Sequence, residues 1–410
     1  MKRNRVGIAL SAVGIHASIG SVYAWSVLTK PVMAEMGITL SSTTWAFSIA
    51  ILFLGLSAAF LGKFVERIGP RASGLLSMLF FCSGLIGTAL AVSMKSVALL
   101  YFFYGAVGGI GLGIGYITPV STLVKWFPAR RGFATGLAIM GFGFASLIGG
   151  PLMQKLTALY GLSANFLIMG GAYAVVMTLS SLYLMPPKAG ETVDLTKLSD
   201  DASEKLKKAA AAQTGRQYTR REAVKTWEFW SLWWLFFTNI TCGIGLLAVA
   251  SPMAQEAVGM NAAGAAALVG AIGIVNGLGR LAWSTLSDWM GRAATYVLFF
   301  VIETAAFFAL AQTPSEAVFY ILVLTIISSY GGGFSCMPAF LSDLFGVRQL
   351  SSIHGIMLTA WALAGIAGPM LLSVIKETTG SYHQTMLVFA GLMSAALVLS
   401  VILKVKSTKH

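Results

Sequence analysis

Gly62-Lys63-Phe64-Val65-Glu66-Arg67-Ile68-Gly69-Pro70-Arg71 decides the fold, because it returns in reduced form as Ser284-Thr285-Leu286-Ser287-Asp288-Trp289-Met290-Gly291-Arg292. Glu66 and Asp288 are 222 residues apart, and so are Gly69 and Gly291. A second echo has a spacing of 218: Phe127-Pro128-Ala129-Arg130 with Phe345-Gly346-Val347-Arg348, and Gly150-Pro151 with Gly368-Pro369. A spacing held across separate loops implies two structural repeats in one chain.

Each copy of the turn follows a long apolar stretch. A bilayer's hydrocarbon takes about 20 apolar residues per helix, and twelve stretches qualify: 6–28, 44–62, 72–92, 96–122, 132–155, 163–185, 229–250, 262–285, 293–311, 317–340, 351–373 and 384–403. Of the 410 residues 57% are hydrophobic and 10% charged, where a soluble chain would have about a quarter charged. That deficit excludes a soluble enzyme, a disordered chain and a coiled coil. The expectation is an all-α membrane protein of twelve transmembrane helices in two six-helix bundles. Residues 1–186 and 229–410 form the bundles, joined by a loop at 187–228. The middle of that loop, near 200–212, favours a short surface helix. The basic start is no signal peptide, because the apolar run after it is too long and Val27-Leu28-Thr29 is no cleavage site.

The net charge of +13 suggests nucleic acid until the cations are mapped. Twenty-three of the 28 Lys and Arg fall on the side of residue 1; four (Lys30, Lys95, Lys155, Lys376) fall opposite; Arg280 lies inside span 8. By the positive-inside rule both termini are cytoplasmic. The charge therefore reports topology, with lipid and not nucleic acid as the partner. The expected location is the plasma membrane, as in a bacterial inner membrane. Cys82, Cys242 and Cys336 lie in apolar stretches without metal-ligand spacing. Gly105 to Gly115 carries six glycines but lacks the Lys-Ser/Thr ending of a phosphate loop, so it reads as close helix packing. No cofactor is expected.

The Gly62–Arg71 loop, its copy at 284–292 and the 6+6 layout resemble the major facilitator superfamily over the whole chain. The resemblance implies a cytoplasmic latch of acid and arginine, made in one state and broken in the other, from Glu66, Arg67, Arg71, Asp288 and Arg292. Glu66 stands where Asp is usual. Two stretches narrow it: Trp126–Gly141 resembles the segment entering helix 5 of monocarboxylate porters, and Ser18–Ser26 resembles their helix 1. Both also look like the bacterial oxalate/formate antiporter branch.

Arg280 stands out without any family. It lies about 12 Å along its helix from Asp288, and a guanidinium there costs at least about 2.5–3.5 kcal/mol. A guanidinium keeps its charge in proteins, so it persists where it meets a cavity or partner, and its planar fork matches a carboxylate. Asn276, one turn earlier on the same face, adds amide donors. The structural alternative is a snorkelling side chain that pairs with Asp288. The resemblance places Arg280 on the arginine that holds the substrate carboxylate in monocarboxylate porters. It places Asn276 where animal members have aspartate, and Val27 or Leu28 near their helix-1 lysine.

In this fold spans 1, 4, 7 and 10 line the path, which puts forward Tyr23, Tyr116, Thr118, Asn239, Thr241, Tyr330, Ser335 and Cys336, with Phe334 and Trp361 as apolar walls. Oxalate porters add a lysine on helix 11, whereas Ile356–Pro369 has no cation. One arginine suits one carboxylate, because an uncompensated buried charge is costly. The expected function is transport of a small monocarboxylate, lactate or pyruvate, in symport with a proton, by a chain that works as a monomer. An oxalate/formate-type antiporter is the alternative. No Walker motif is present, and no clustered His, Cys and Asp supports an enzyme. Glu303, Asp288, His16, His354 and His383 are the candidates for handling the proton, with Glu303 more readily a neutral structural group.

Overall fold

A computed structural model describes residues 4–126, 131–187, 217–312, 315–346 and 349–407. The surface helix expected near 200–212 lies outside these residues, as do Arg130 and Arg348 of the second echo. Among the described residues, twelve helices are long and apolar enough to cross a membrane: α1 Arg5–Met36, α2 Leu40–Phe60, α3 Phe64–Ser93, α4 Val97–Leu123, α5 Leu137–Tyr160, α6 Leu162–Tyr183, α7 Trp227–Ala257, α8 Ala262–Met290, α9 Arg292–Ala311, α10 Glu316–Phe345, α11 Ile353–Thr379 and α12 His383–Lys406. Helices satisfy every backbone group internally, as hydrocarbon requires.

Helix ends are set by local chemistry. Asn4 caps α1, Thr39 α2 and Asn261 α8, each side chain accepting a backbone N–H of the first turn. The first span runs eight residues beyond the expected end, through Lys30 and Pro31, and stops where Gly37 takes φ +66°. Prolines recur inside matching helices of the halves: Pro31 and Pro252 in α1 and α7, Pro119 and Pro338 in α4 and α10, Pro151 and Pro369 in α5 and α11. The repeated turn is also confirmed in its backbone. Gly69 has φ 81° and ψ 164°, Gly291 φ 83° and ψ 145°, a region open to glycine and strained for other residues.

The glycines of α4 do pack helices. A Cβ on Gly111 would fall 2.4 Å from Phe81 N of α3, and one on Gly113 2.6 Å from Leu54 O of α2. Small residues draw helices together where lipid offers no hydrophobic drive. Between the halves, α2 packs along α11 and α5 along α8, while the second half of α1 packs on α7. These contacts enclose the middle of the molecule. Below, the face carrying Arg67, Arg292 and both described chain ends is the basic face, and the other the opposite face.

Candidate functional site

The centre is assembled from six helices. In α1 the backbone tightens to a 3₁₀ turn at Gly20–Ala24, and Gly20 lets that turn lie against α5, since a Cβ would sit 2.3 Å from Phe142 O. This brings Tyr23 onto the edge of the Phe142 ring, centroids 5.0 Å apart. The Tyr23 and Tyr330 hydroxyls are 3.0 Å apart, joining α1 to α10 across the two halves.

Arg280 is 3% exposed and Asn276 fully buried. Arg280 Nε donates to Asn276 Oδ1 at 3.3 Å, its guanidinium carbon lies 5.3 Å from the Phe334 ring centre, and the fork reaches the Tyr23 hydroxyl. Asp288 does not take it: that carboxylate binds Arg292. Three buried donors around this point have no partner, namely Arg280 Nη1, Asn276 Nδ2 and Trp361 Nε1. An unpaired buried donor costs about 1–3 kcal/mol, more when charged. Such a cost is offset when a ligand with acceptor oxygens arrives.

The walls are aromatic. Trp361 of α11 touches Phe334 at 4.9 Å and Tyr116 at 5.4 Å between centroids, and Tyr116 in turn meets Phe142 edge-on at 5.8 Å. A cation and a few N–H donors inside an apolar enclosure suit a small anion with an apolar part. On the opposite face Glu256 of α7 pairs with Lys30 of α1 at 3.5 Å and Lys376 of α11 at 3.0 Å. Beside them Glu377 accepts from Ser41 N–H at 2.6 Å, and Ser373 donates to Thr44 at 2.8 Å.

The structure thus brings together Arg280, Asn276, Tyr23, Tyr116 and Tyr330 from the sequence-derived set. Others lie elsewhere. Leu28 is buried past Tyr23 in the part of α1 that packs on α7. Cys336 lies by Ser287 and Arg292, toward the basic face. Asn239 donates to both carboxylate oxygens of Glu303 at 3.0 and 3.1 Å, so these two buried groups serve each other. Thr118 and Ser335 bond their own helices. Of the arginines at the repeated turns, Arg292 holds Asp288 and, at 3.6 Å, Asp343. Arg71 donates to Leu182 O at 2.7 Å. Glu66 and Arg67 are exposed and have no ion-pair partner among the described residues. Phe142 and the Glu256 cluster escaped the sequence reading, and the Trp361 indole N–H is a donor where only an apolar wall was expected.

Twelve membrane-crossing helices among the described residues surround a centre that holds a buried cation, and residues 9–369 match the model of the Major Facilitator Superfamily. The chain belongs to that superfamily. It is 28% identical to the uncharacterized MFS-type transporter YhjX of Escherichia coli over 89% of this chain and 87% of that one. It is 26% identical to the oxalate:formate antiporter of Oxalobacter formigenes over 92% and 86%, and 24% identical to monocarboxylate transporter 2 of Mus musculus over 89% and 77%. Among solved structures, the occupied inward-facing bacterial homologue of the human lysosomal transporter Spinster superposes with a TM-score of 0.74 at 16% identity, covering 98% and 97% of the chains. The chain is therefore an integral multi-pass transporter and not an enzyme.

Proposed function

We propose that the chain carries a small monocarboxylate of the lactate or pyruvate class together with a proton, by alternating access. The observation that carries this reading is the unpaired Arg280 Nη1 beside the unpaired Asn276 Nδ2, inside an aromatic enclosure. A carboxylate docks on those donors while its short apolar part rests on Phe334 and Trp361. Arg280 is the sole buried Lys or Arg among the described residues, so it balances one negative charge and leaves a second uncompensated. A secondary carrier of this kind draws its work from a gradient.

Residues 1–186 and 229–410 act as the two rocking bodies and 187–228 as their tether, in one chain that works as a monomer. The 23-to-4 distribution of cations supports a cytoplasmic basic face in a plasma membrane. In this reading Asp288, Arg292 and the Glu66–Arg71 loop latch that face, and the Glu256 cluster clasps the other. Uptake of labelled lactate, pyruvate, formate and oxalate into proteoliposomes, with and without an inward proton gradient, tests the assignment. Gradient-driven accumulation of lactate or pyruvate is the expected result. Oxalate-for-formate exchange indifferent to pH would favour an antiporter like the Oxalobacter relative, and transport of none of the four would end the reading.

A further inference from the structure

The proton needs a seat, and Arg280 cannot supply it, because a guanidinium does not cycle protons. His16 sits in α1 on the other side of Tyr116, fully buried. Its Nδ1 lies 2.5 Å from Ala138 O of α5, and its Nε2 lies 3.0 Å from Tyr116 O of α4. The ring stacks on Tyr116 with centroids 5.6 Å apart and planes 14° from parallel. Phe142 closes it edge-on at 6.1 Å.

Both ring nitrogens therefore face backbone carbonyl oxygens, which only accept. A neutral imidazole has one N–H and one lone pair. Whichever nitrogen carries the hydrogen, the other then sets a lone pair against a carbonyl. An imidazolium donates to both. A third carbonyl, Gly115 O, also faces the ring, and Pro119 four residues on has no N–H to engage it. The backbone of α4 and α5 thus offers an acceptor to each ring N–H of an imidazolium.

Arg280 of α8 is the charged group that acts on His16. The ionisable groups acting on the ring from the packed helices are that guanidinium and the stacked phenol of Tyr116. With the Arg280 site empty, protonating His16 would place two like charges in a low-dielectric interior. With a carboxylate on Arg280, the pair is neutral and the repulsion is cancelled.

We propose that His16 is the residue that binds the co-transported proton, taking it up when a carboxylate occupies Arg280 and losing it when the carboxylate leaves. This rests on the proton-symport reading above. It adds the group and the coupling rule: anion and proton each make the other's binding favourable, and linkage requires the effect to be reciprocal. The proton comes from solution onto the unprotonated ring nitrogen and returns to solution from the ring; no covalent bond to the substrate changes.

The test compares wild type with His16→Gln in proteoliposomes, using lactate, pyruvate, formate and oxalate as probes. Two assays are run: accumulation driven by an inward pH gradient, and exchange of labelled for unlabelled acid without a gradient. One pH unit drives about tenfold accumulation by a one-to-one symporter. The expected result is that His16→Gln abolishes accumulation but retains exchange, because the Arg280 site is intact. Proton-coupled accumulation surviving in His16→Gln would overturn the proposal, as would wild type that moves an acid without a proton. Failure of wild type to exchange any of the four acids would instead refute the monocarboxylate reading itself.

A second measurement needs no variant. In lipid-embedded protein labelled at histidine nitrogens and alanine carbonyls, the ring in contact with the Ala138 carbonyl becomes doubly protonated when the transported acid saturates the site. A ring whose nitrogens do not change on saturation would overturn the proposal.

Discussion

The two six-helix halves follow the same chain path and differ in charge. Gly69 and Gly291 adopt the same left-handed turn, and prolines recur in three matching helix pairs. Yet the 222 spacing that aligns those turns sets Arg280 against Ala58 and Asn276 against Leu54. The second half supplies a cation with unpaired donors beside the rings of Tyr330, Phe334 and Trp361, while the first supplies the rings of Tyr23, Tyr116 and Phe142 and His16 clasped by backbone carbonyls. Repetition persists where the backbone needs it and lapses at the buried centre. Under the proposed monocarboxylate reading, an anion with one charged end has no use for two arginines.

The comparison breaks most severely at the paired Gly-Pro positions. A Cβ on Gly368 would fall 1.9 Å from Thr241 O, backbone that cannot step aside, whereas one on Gly150 would fall 3.2 Å from Ala266 O. Overpacking costs about 1–3 kcal/mol where neighbours can adjust, and at Gly368 they cannot. Gly368→Ala is therefore expected to abolish folded yield in fluorescence size-exclusion profiles, and Gly150→Ala to leave the profile near that of wild type. Equal profiles would mean that the α7–α11 contact is looser than its geometry.

The next effect is chemical. Arg280→Lys keeps the charge but loses the fork, and its ammonium cannot bind a carboxylate bidentately. Disrupting a buried, hydrogen-bonded charge pair costs about 2–5 kcal/mol. Affinity for the transported acid is expected to fall by about a hundredfold or more, read by ligand-induced thermal shift or uptake. Unchanged affinity would remove Arg280 from the site. The corresponding change in the first half, Ala58→Gly, is expected to leave affinity unaltered.

How legible this was depends on what each feature is made of. Spans and repeats were readable because hydropathy and spacing are properties of the string, and Arg280 because a charge in hydrocarbon is costly wherever it sits. The first span was read too short because Lys30 and Pro31 look like a stop. Pro31 is tolerated within α1, and Lys30 reaches the opposite-face acid cluster. Cys336 was placed in the pocket, but six residues from Tyr330 on an α-helix is a different face, and Phe334, one turn from Tyr330, takes that position. His16 stood among five candidates for the proton, and nothing in the string sets it apart from the other four. Its partners are carbonyl oxygens, which every residue carries, so no pattern of side chains announces them. Asn239 belongs to Glu303 across two helices, a pairing that only tertiary structure creates.

A smaller effect is expected at the repeated turns. Arg292 is 18% exposed and engages two carboxylates that are themselves about 60% exposed, while Arg71 binds one carbonyl. Exposed pairs contribute about 0.2–1 kcal/mol each. Arg292→Gln should slow net uptake by a few-fold, and Arg71→Gln less. If Arg71→Gln proved the more damaging, the turn of the first half would be the working latch.

The mildest test separates the two faces. Glu256 joins α7 to α1 and α11 through Lys30 and Lys376, but the groups are roughly one-fifth to two-fifths exposed. Water therefore screens both pairs, and together they supply about 1 kcal/mol. Removing them in Glu256→Gln would shift the closed face toward opening by about fivefold. Ser373 is buried in the same closure and bonded to Thr44, so a Ser373→Cys reporter, in a background without Cys82, Cys242 and Cys336, should react that much faster with a water-soluble thiol reagent. Salt provides the control, because the screening length falls from about 8 Å at physiological ionic strength to about 3 Å at 1 M. High salt should speed labelling in the reporter background and add nothing once Glu256→Gln is present. If neither salt nor the substitution changed the rate, the closure would be held by the α2–α11 packing around Ser373 and Thr44. The charges would then serve only to orient the chain in the membrane.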